Sequence, residues 1–226
     1  NLLAMQAQMN PHFIYNMLSV ISAASIEGEN EKVTELCCQL SRLLRYAASK
    51  GNQFATLQGE VDYALCYCKL MQARYEDKLK YDFSVEGELN KIQVPKLIIQ
   101  PLIENAIIHG LSSLSEGGLI YVRGFKKDDK MWLSIADTGV GIEKDKLDSI
   151  RKYLDNIFAL PDTETAASSK NDSNYADSEI NRKTVGVGIG NIAYRVKGMY
   201  NNSGMKIYSR KNHGTVIQIY FGNNSK

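Results

Sequence analysis

Pro-Lys-Leu-Ile-Ile-Gln-Pro-Leu-Ile-Glu-Asn-Ala-Ile-Ile-His-Gly-Leu, residues 95–111, is predicted to form a helix that carries polar side chains where folding needs none. Pro95 suits the first helical position, where its missing N–H is not required. Asn105 and His109, four residues apart, lie together on one flank, and Glu104 points about 100° away from Asn105. A Glu-Asn pair at the margin of an apolar helix face often has no role beyond contact with solvent. Two later glycine-rich stretches indicate that this pair belongs to a functional site. The apolar face comprises Ile98, Ile99, Leu102, Ile103 and Ala106.

The composition fits a soluble globular protein, because 44% of the 226 residues are hydrophobic and 23% are charged. With 27 basic and 25 acidic residues the formal net charge is +2, which argues against nucleic acid as a partner. No apolar run approaches the length of a membrane span, so we expect this chain not to be membrane-inserted. Residues 1–7 already have the pattern of a helix interior, and we expect a fragment whose earlier part is missing. Four cysteines lack zinc-ligand spacing and are predicted to be reduced structural thiols: Cys37, Cys38, Cys66 and Cys68.

The first predicted helix, over residues 2–24, contains the sequence Asn10-Pro11-His12-Phe13. A proline inside a helix removes a backbone hydrogen bond at a cost of about 3 kcal/mol, so we predict a local bend beside His12. His12 lies off the centre of the apolar stripe and should be at least partly reachable by solvent. A lone histidine in a helix is usually structural, and this pattern taken alone favours that interpretation of His12.

A second predicted helix, over residues 32–49, follows a break at Gly28-Glu29-Asn30. Two helices joined by so short a break run antiparallel and form a hairpin. The apolar stripes of a lone hairpin have too little of their own chain to cover them, so we expect two copies to form a dimeric four-helix bundle. Together with a third helix over residues 57–76, the hairpin defines a predicted first domain at residues 1–78.

A second predicted domain, residues 79–226, mixes strands with helices. The order of these elements predicts an α+β fold, a two-layer α/β sandwich in which helices cover one face of a mixed sheet. Residues 161–183 are rich in small polar and charged residues and are predicted to form a mobile loop. The predicted strands are 80–85, 119–126, 131–136, 205–209 and 215–221, and the predicted helices are 95–111, 143–158 and 190–200.

The strand that ends at Ala136 runs directly into Asp137-Thr138-Gly139-Val140-Gly141. A carboxylate at a strand end can accept a hydrogen bond from an exocyclic amine, and glycines let the backbone wrap around the ring that carries it. This pattern therefore suits a nucleobase. Taken by itself, Asp-x-Gly-x-Gly is often only a turn.

The second glycine-rich stretch, Gly186-Val187-Gly188-Ile189-Gly190-Asn191, lies at the start of the last predicted helix. Glycines ahead of a helix expose N–H groups to an anion, and the helix dipole favours a phosphate there. The stretch does not follow a strand, which disfavours a dinucleotide-binding motif of the Rossmann type, and no Gly-x-x-x-x-Gly-Lys-Ser/Thr P-loop occurs. A hinged glycine segment without a ligand is the alternative.

In this order the motifs resemble the ATP-binding domain of the Bergerat (GHKL) superfamily, and with the N-terminal part the chain resembles sensor histidine kinases of the LytS/YesM type. Residues 8–16, Gln-Met-Asn-Pro-His-Phe-Ile-Tyr-Asn, are similar to the phosphoacceptor box of that family. Residues 104–110 are similar to its N box, residues 137–141 to its G1 box and residues 186–191 to its G2 box. The resemblance covers nearly the whole chain.

The resemblance implies ATP and Mg²⁺ as cofactors and His12 as the residue that accepts the γ-phosphoryl group. Asn105 would ligate the Mg²⁺ that bridges the ATP phosphates, since this hard cation prefers oxygen ligands. The sequence departs from many other histidine kinases because Phe13, and not an acidic residue, directly follows the acceptor histidine. Glu104 is the best candidate for the missing base, because it adjoins Asn105 yet points to a different side of the helix.

The same resemblance places the adenine and the phosphates. Asp137 would bind the adenine amino group, Gly139 and Gly141 would shape the pocket, and Thr215 would lie beneath adenine. Residues 143–185 would form a lid over ATP. The other residues expected to contact the nucleotide are His109, Gly186, Gly188, Gly190 and Asn191.

The function implied by the resemblance is that of a dimeric ATP:protein-histidine phosphotransferase, which passes its phosphoryl group to an aspartate of a separate response regulator. The fragment would be cytoplasmic, and the full-length protein would be anchored in the cell membrane by a missing N-terminal part. Two rival functions need no phosphotransfer. One is a GHKL ATPase whose hydrolysis drives a conformational cycle, and the other is a non-catalytic, nucleotide-responsive dimerisation module.

Overall fold

The computed structural model describes residues 11–49, 53–112, 114–159, 187–200 and 202–222. Within these ranges the helices are α1 (Pro11–Ile26), α2 (Asn30–Ala48), α3 (Leu57–Tyr75), α4 (Gln100–Asn105), α5 (Lys144–Ala159) and α6 (Val187–Met199). The strands are β1 (Phe54–Thr56), β2 (Leu79–Val85), β3 (Gln93–Pro95), β4 (Gly118–Lys127), β5 (Lys130–Asp137), β6 (Gly204–Ser209) and β7 (Thr215–Phe221). A π-helical segment, Ala106–Leu111, continues α4 without a break.

Five strands form one mixed sheet in the order β2-β4-β5-β7-β6. β2 and β4 are parallel, and the other neighbouring pairs in this sheet are antiparallel. Alternate side chains of the central strands, such as Ile120, Leu133 and Ile219, are buried in one core together with the apolar side chains of the helices. This arrangement confirms the predicted α+β fold with a mixed sheet covered by helices. A separate antiparallel pair, β1 with β3, was not predicted.

The helix that carries Asn105 begins later than the sequence predicts. Pro95 is the last residue of β3, and α4 begins at Gln100 with Pro101 in its first turn. The intervening residues form a turn, in which Leu97 has a left-handed φ of 60°. The prediction of Pro95 at the first helical position is therefore wrong, because pairing of β3 with β1 keeps this residue extended.

The π-helical segment also changes the predicted relation between Asn105 and His109. Its backbone bonds span five residues, as in the bond from the Ser112 N–H to the Ile107 carbonyl at 2.9 Å. A π-helix has more residues per turn than an α-helix, so a spacing of four no longer places His109 directly above Asn105. His109 is exposed, whereas Asn105 is half-buried.

The N-terminal hairpin, α1 with α2, packs against α3 of its own chain. Met17, Leu36, Leu40 and Leu43 are all buried, and the rings of Phe13 and Tyr67 stack with their centroids 5.1 Å apart. The expectation that the apolar stripes of the hairpin lack cover from their own chain is therefore wrong for these buried residues, because α3 covers them. α3 also packs on β2 and α4, so it lies between the hairpin and the sheet domain.

The last helix begins earlier than predicted, at Val187, so that Gly188 and Gly190 lie inside its first turns and not ahead of it. Gly186, the predicted mobile loop at 161–183 and residues 2–10 of the first predicted helix fall outside the described residues. Among the helices that are described, none combines the length and the apolar character that a membrane crossing requires.

Candidate active site

Asp137 stands at the end of β5, where the buried central strand leaves the sheet. Its Oδ1 accepts a hydrogen bond from the Gly139 N–H at 2.8 Å. Burial raises the pKa of the Asp137 carboxyl, and backbone N–H groups of Gly139 and Thr215 partly oppose this shift. A half-buried carboxylate at a strand end, whose charge these N–H groups offset only in part, can accept a further hydrogen bond from a ligand.

Gly139 lies directly against Gly110 at the end of the π-helical segment. A Cβ added at Gly139 would lie 2.5 Å from the Gly110 backbone, and one added at Gly110 would lie 3.0 Å from Asp137 Oδ1. The Val140 N–H donates to the Gly110 carbonyl at 3.0 Å, which fixes this close approach. Only glycine fits at position 139, because any side chain would separate the strand end from the helix end. The site assignment from sequence omitted Gly110, although it directly follows His109 in the same motif.

The loop after Asp137 is held down by the turn between β6 and β7. Gly141 has a φ of 67°, and an added Cβ there would lie 2.1 Å from the Arg210 carbonyl oxygen. At Gly214, with a φ of 80°, an added Cβ would lie 1.9 Å from the Asp137 carbonyl oxygen. Both positions therefore require glycine, for their backbone angle and for the close approach.

Thr215 pairs with Asp137 across β5 and β7, which puts the predicted adenine-contacting hydroxyl beside the predicted adenine-binding carboxylate. The Thr215 hydroxyl lies 3.0 Å from Ser209 Oγ. Ser209 Oγ also donates to the Gly214 carbonyl at 2.7 Å and accepts from the Ile142 N–H at 2.9 Å. Ser209 is a supporting residue that the sequence did not reveal, because its contacts depend on the pairing of β6 with β7.

Asn105 faces the start of α6. A Cβ added at Gly188 would lie 3.7 Å from Asn105 Nδ2, so this glycine of the second motif is a direct neighbour of the predicted metal ligand. At Gly190 an added Cβ would lie 2.9 Å from the Tyr153 hydroxyl of α5, which leaves little room for a side chain. Asn191 is exposed in the same turn. Of the predicted phosphate-binding glycines, Gly188 and Gly190 thus lie in the first turn of α6, and Gly188 is beside Asn105.

The predicted catalytic residues lie on two helices that both approach α3. Glu104 is half-buried, and its Oε2 accepts from Gln100 Nε2 at 3.0 Å. His12 is exposed on α1, with Nδ1 3.0 Å from Asn16 Nδ2. Phe13 stacks on Tyr67 of α3. The pKa of Tyr67 is raised mainly by burial and to a smaller extent by the charge of Glu104. Phe13, the neighbour of His12, therefore contacts Tyr67, and Glu104 acts on the same tyrosine through its charge.

The side chains near Asn105 could bind Mg²⁺ only together with the phosphates of a nucleotide. In the part of the chain that the structure describes, no group of three or more His, Cys, Asp or Glu side chains could hold a metal ion. Mg²⁺ in nucleotide sites commonly takes one or two protein oxygens, with phosphates and water completing its shell. The amide oxygen of Asn105 could supply such a ligand.

Two family profiles match the chain. Residues 90–224 match the family described as Histidine kinase-, DNA gyrase B-, and HSP90-like ATPase, and residues 1–79 match the family described as Histidine kinase. These two matches together span almost the whole chain, and the first alone covers more than half of it.

Curated relatives are similar over part of the chain. The sensor protein LytS of Staphylococcus saprophyticus is 36% identical over 150 residues, which are 66% of this chain and 25% of that protein. The sensor histidine kinase BtsS of Escherichia coli is 32% identical over 133 residues, which are 59% of this chain and 24% of that protein. The chain therefore spans about a quarter of the length of these relatives. Among solved structures, the histidine kinase AdeS of Acinetobacter baumannii aligns with a TM-score of 0.47 at 13% identity, over 88% of this chain and 83% of that one.

Proposed function

Since this chain belongs to the family of histidine kinase-, DNA gyrase B-, and HSP90-like ATPases and is homologous to sensor histidine kinases, we propose that it transfers the γ-phosphoryl group of ATP to its own His12. Residues 1–78 would serve as the dimerisation and phosphoacceptor region, and residues 79–226 as the ATP-binding region. α3 packs on both sides of this division and would join the two.

The proposal rests mainly on one observation: separate sequence motifs converge near the C-terminal end of the central strand β5. Asp137 and Gly139 lie against Gly110, and Asn105 of the same helical segment lies beside Gly188. Three stretches that are far apart in sequence thus supply a half-buried acceptor, close backbone approaches and an oxygen ligand. These are the features that adenine, phosphates and Mg²⁺ require.

Within this site each residue has a distinct part. The Asp137 carboxylate would accept a hydrogen bond from the adenine amino group, with the Thr215 hydroxyl beneath the ring. Gly141 would shape the adenine pocket, and Gly186, Gly188, Gly190 and Asn191 would approach the phosphates together with His109. Asn105 would hold Mg²⁺, which neutralises charge on the phosphates when bound.

The partners proposed for the whole protein are a second copy of the chain and the receiver domain of a response regulator, whose aspartate would take the phosphoryl group from His12. The receiver domain is proposed on chemical grounds, because a phosphoramidate transfers its phosphoryl group readily to a carboxylate. A free receiver domain with its own aspartate would be the acceptor in a reconstituted assay.

The experiment that tests the proposed function compares ADP release with phosphoprotein formation during incubation with γ-labelled ATP and Mg²⁺. A kinase forms a labelled protein that loses its label in acid and keeps it in base. ADP without labelled protein would instead indicate the ATPase with a conformational cycle. Nucleotide binding without turnover would indicate the non-catalytic dimerisation module.

Asp137→Asn is expected to weaken ATP binding by about 10- to 100-fold. The amide presents one acceptor instead of a carboxylate and leaves the adenine donor poorly paired, at a cost of roughly 1–3 kcal/mol. Isothermal titration calorimetry measures the change. Asp128→Asn, in the exposed β4–β5 turn, makes the same substitution away from the site and should bind ATP like the wild type. Full ATP affinity in Asp137→Asn would remove Asp137 from the adenine site.

Leu18→Lys is expected to convert a homodimer into monomers. Leu18 is 51% exposed on the outer face of α1, where Tyr15 and Ile26 are also exposed, whereas Leu40 is only 7% exposed and is covered by its own chain. An apolar outer face of this kind suits a second hairpin. Sedimentation velocity at micromolar concentration measures the change, and Tyr208→Lys, an exposed site on β6, should remain dimeric. A monomeric wild type would overturn the proposed dimer of this chain.

A further inference from the structure

A single buried carboxylate connects the N-terminal hairpin to the helix that carries Asn105. Glu60 of α3 is 0% exposed. Its Oε1 accepts from the Tyr46 hydroxyl at 2.7 Å and from the Leu97 N–H at 2.6 Å. Its Oε2 accepts from the N–H groups of Ile98 at 2.8 Å and Ile99 at 3.3 Å.

These bonds explain the turn that precedes α4. The left-handed φ of 60° at Leu97 directs successive N–H groups toward one point, and such a concave arrangement binds an anion. The positive end of the helix that follows favours the same charge. A fully buried carboxylate is costly without partners, and here every oxygen has two donors. Glu60 thereby fixes the start of the helix that ends at Asn105.

The other partner of Glu60 belongs to the hairpin. Tyr46 lies in the last turn of α2, and its backbone carbonyl also accepts a hydrogen bond from Lys96 Nζ at 2.5 Å. Lys96 Nζ further bonds to the Ser49 hydroxyl at 2.7 Å and lies 4.8 Å from the centroid of the Tyr46 ring. Residues 96–99 are therefore tied on one side to the end of the hairpin and continue on the other side into α4.

We propose that Glu60 is a positioning residue that sets the placement of the hairpin relative to the helix bearing Glu104 and Asn105. The inference rests on the proposed phosphotransfer to His12. From Ile99 to Asn105 the helix advances about 9 Å. A short helix moves as a unit, so a shift at Glu60 would also shift Asn105, the proposed Mg²⁺ ligand. The hydrogen bond from Tyr46 is the step that extends this control to the hairpin.

The arrangement held by Glu60 is one that favours transfer. In it the ring of Phe13, next to His12, stacks on Tyr67 of α3. Glu104 is near enough to the same tyrosine to act on its pKa. Helix α1, which carries His12, and helix α4, which carries Glu104, thus both pack on α3. Loss of the hydrogen bond from Tyr46 to Glu60 should loosen the packing of the hairpin and leave α4 in place.

The test removes only the Tyr46 hydroxyl, because Glu60 variants would leave three N–H groups without their acceptor and risk misfolding. Tyr46→Phe is expected to lower kcat for autophosphorylation about 10- to 100-fold, the range for one hydrogen bond to a charged group, while the KM for ATP stays within twofold of the wild type. A purely structural role would lower the melting temperature without this separation of kcat from KM.

Tyr81→Phe is the matched control. It removes a hydroxyl that donates from β2 to Gln72 of the same helix α3 at 3.3 Å, a hydrogen bond in which the hairpin takes no part, and it should leave kcat unchanged. A Tyr46→Phe protein that reacts at the wild-type rate or faster would overturn the role of Glu60, while the wild type still forms phosphohistidine. Absence of phosphohistidine in the wild type would instead overturn the proposed function, and with it the inference.

Discussion

His12→Gln is expected to abolish the phosphoprotein that wild-type chain forms from ATP and Mg²⁺. The transfer forms a bond between a ring nitrogen of His12 and the γ-phosphorus and breaks the bond from that phosphorus to the bridging oxygen, which leaves with ADP. Glutamine has a similar size but no nucleophilic ring nitrogen. A neutral imidazole carries a ring nitrogen with a lone pair, which can attack phosphorus without prior loss of a proton.

The sequence provides a matched control, because it contains three histidines. His213 is exposed in the β6–β7 turn, with Nδ1 2.9 Å from the Lys211 carbonyl oxygen, and His213→Gln should label like the wild type. Calorimetry should give the same ATP affinity for wild type, His12→Gln and His213→Gln, since His12 is not assigned to nucleotide binding. Label that persists in His12→Gln would place the acceptor elsewhere.

Glu104→Gln is expected to lower the autophosphorylation rate by about 10²–10⁴ with ATP affinity nearly unchanged, the range for loss of general-base help. Attack on phosphorus builds positive charge on the imidazole, and a carboxylate near the other ring nitrogen would take up that charge and fix the tautomer. Phe13 cannot do this. Glu104 is proposed as the base because its helix and the helix of His12 both pack on α3, where Phe13 stacks on Tyr67.

Single-turnover labelling at saturating ATP measures this effect. Glu88→Gln removes the same charge from an exposed turn and should label at the wild-type rate. If Glu104→Gln also labels at that rate, the carboxylate is not the base and Asn16 becomes the group that orients the ring. Its amide already lies 3.0 Å from His12 Nδ1 and could keep a proton there if the amide oxygen faces the ring.

The sequence was informative where local patterns decide the structure. The alternation of residues 131–136 placed Asp137 at a strand end, and the following glycines are required by close contacts that a side chain would block. Both ends of the β6–β7 hairpin were also predicted correctly, at 205–209 and 215–221, to within one residue. Periodicity and turn chemistry are local properties, so they can be read from a single sequence.

The features that sequence reasoning missed depend on contacts between distant residues. Pro95 appeared to begin a helix because its pairing with Phe54 in β1 has no local signal. The sequence did not single out Glu60, because the N–H groups that it accepts from lie 37 to 39 positions later. The buried stripe of the hairpin appeared to lack cover from its own chain, because the cover provided by α3 is a tertiary contact.

The central claim is that the ATP site delivers its phosphoryl group to His12, and mapping of the modified residue tests it most directly. Wild-type chain incubated with ATP and Mg²⁺, kept at alkaline pH and digested, is expected to carry one phosphoryl group as a phosphoramidate on His12, identified by tandem mass spectrometry. Phosphate on another residue, or ADP release with no phosphopeptide at all, would contradict the account.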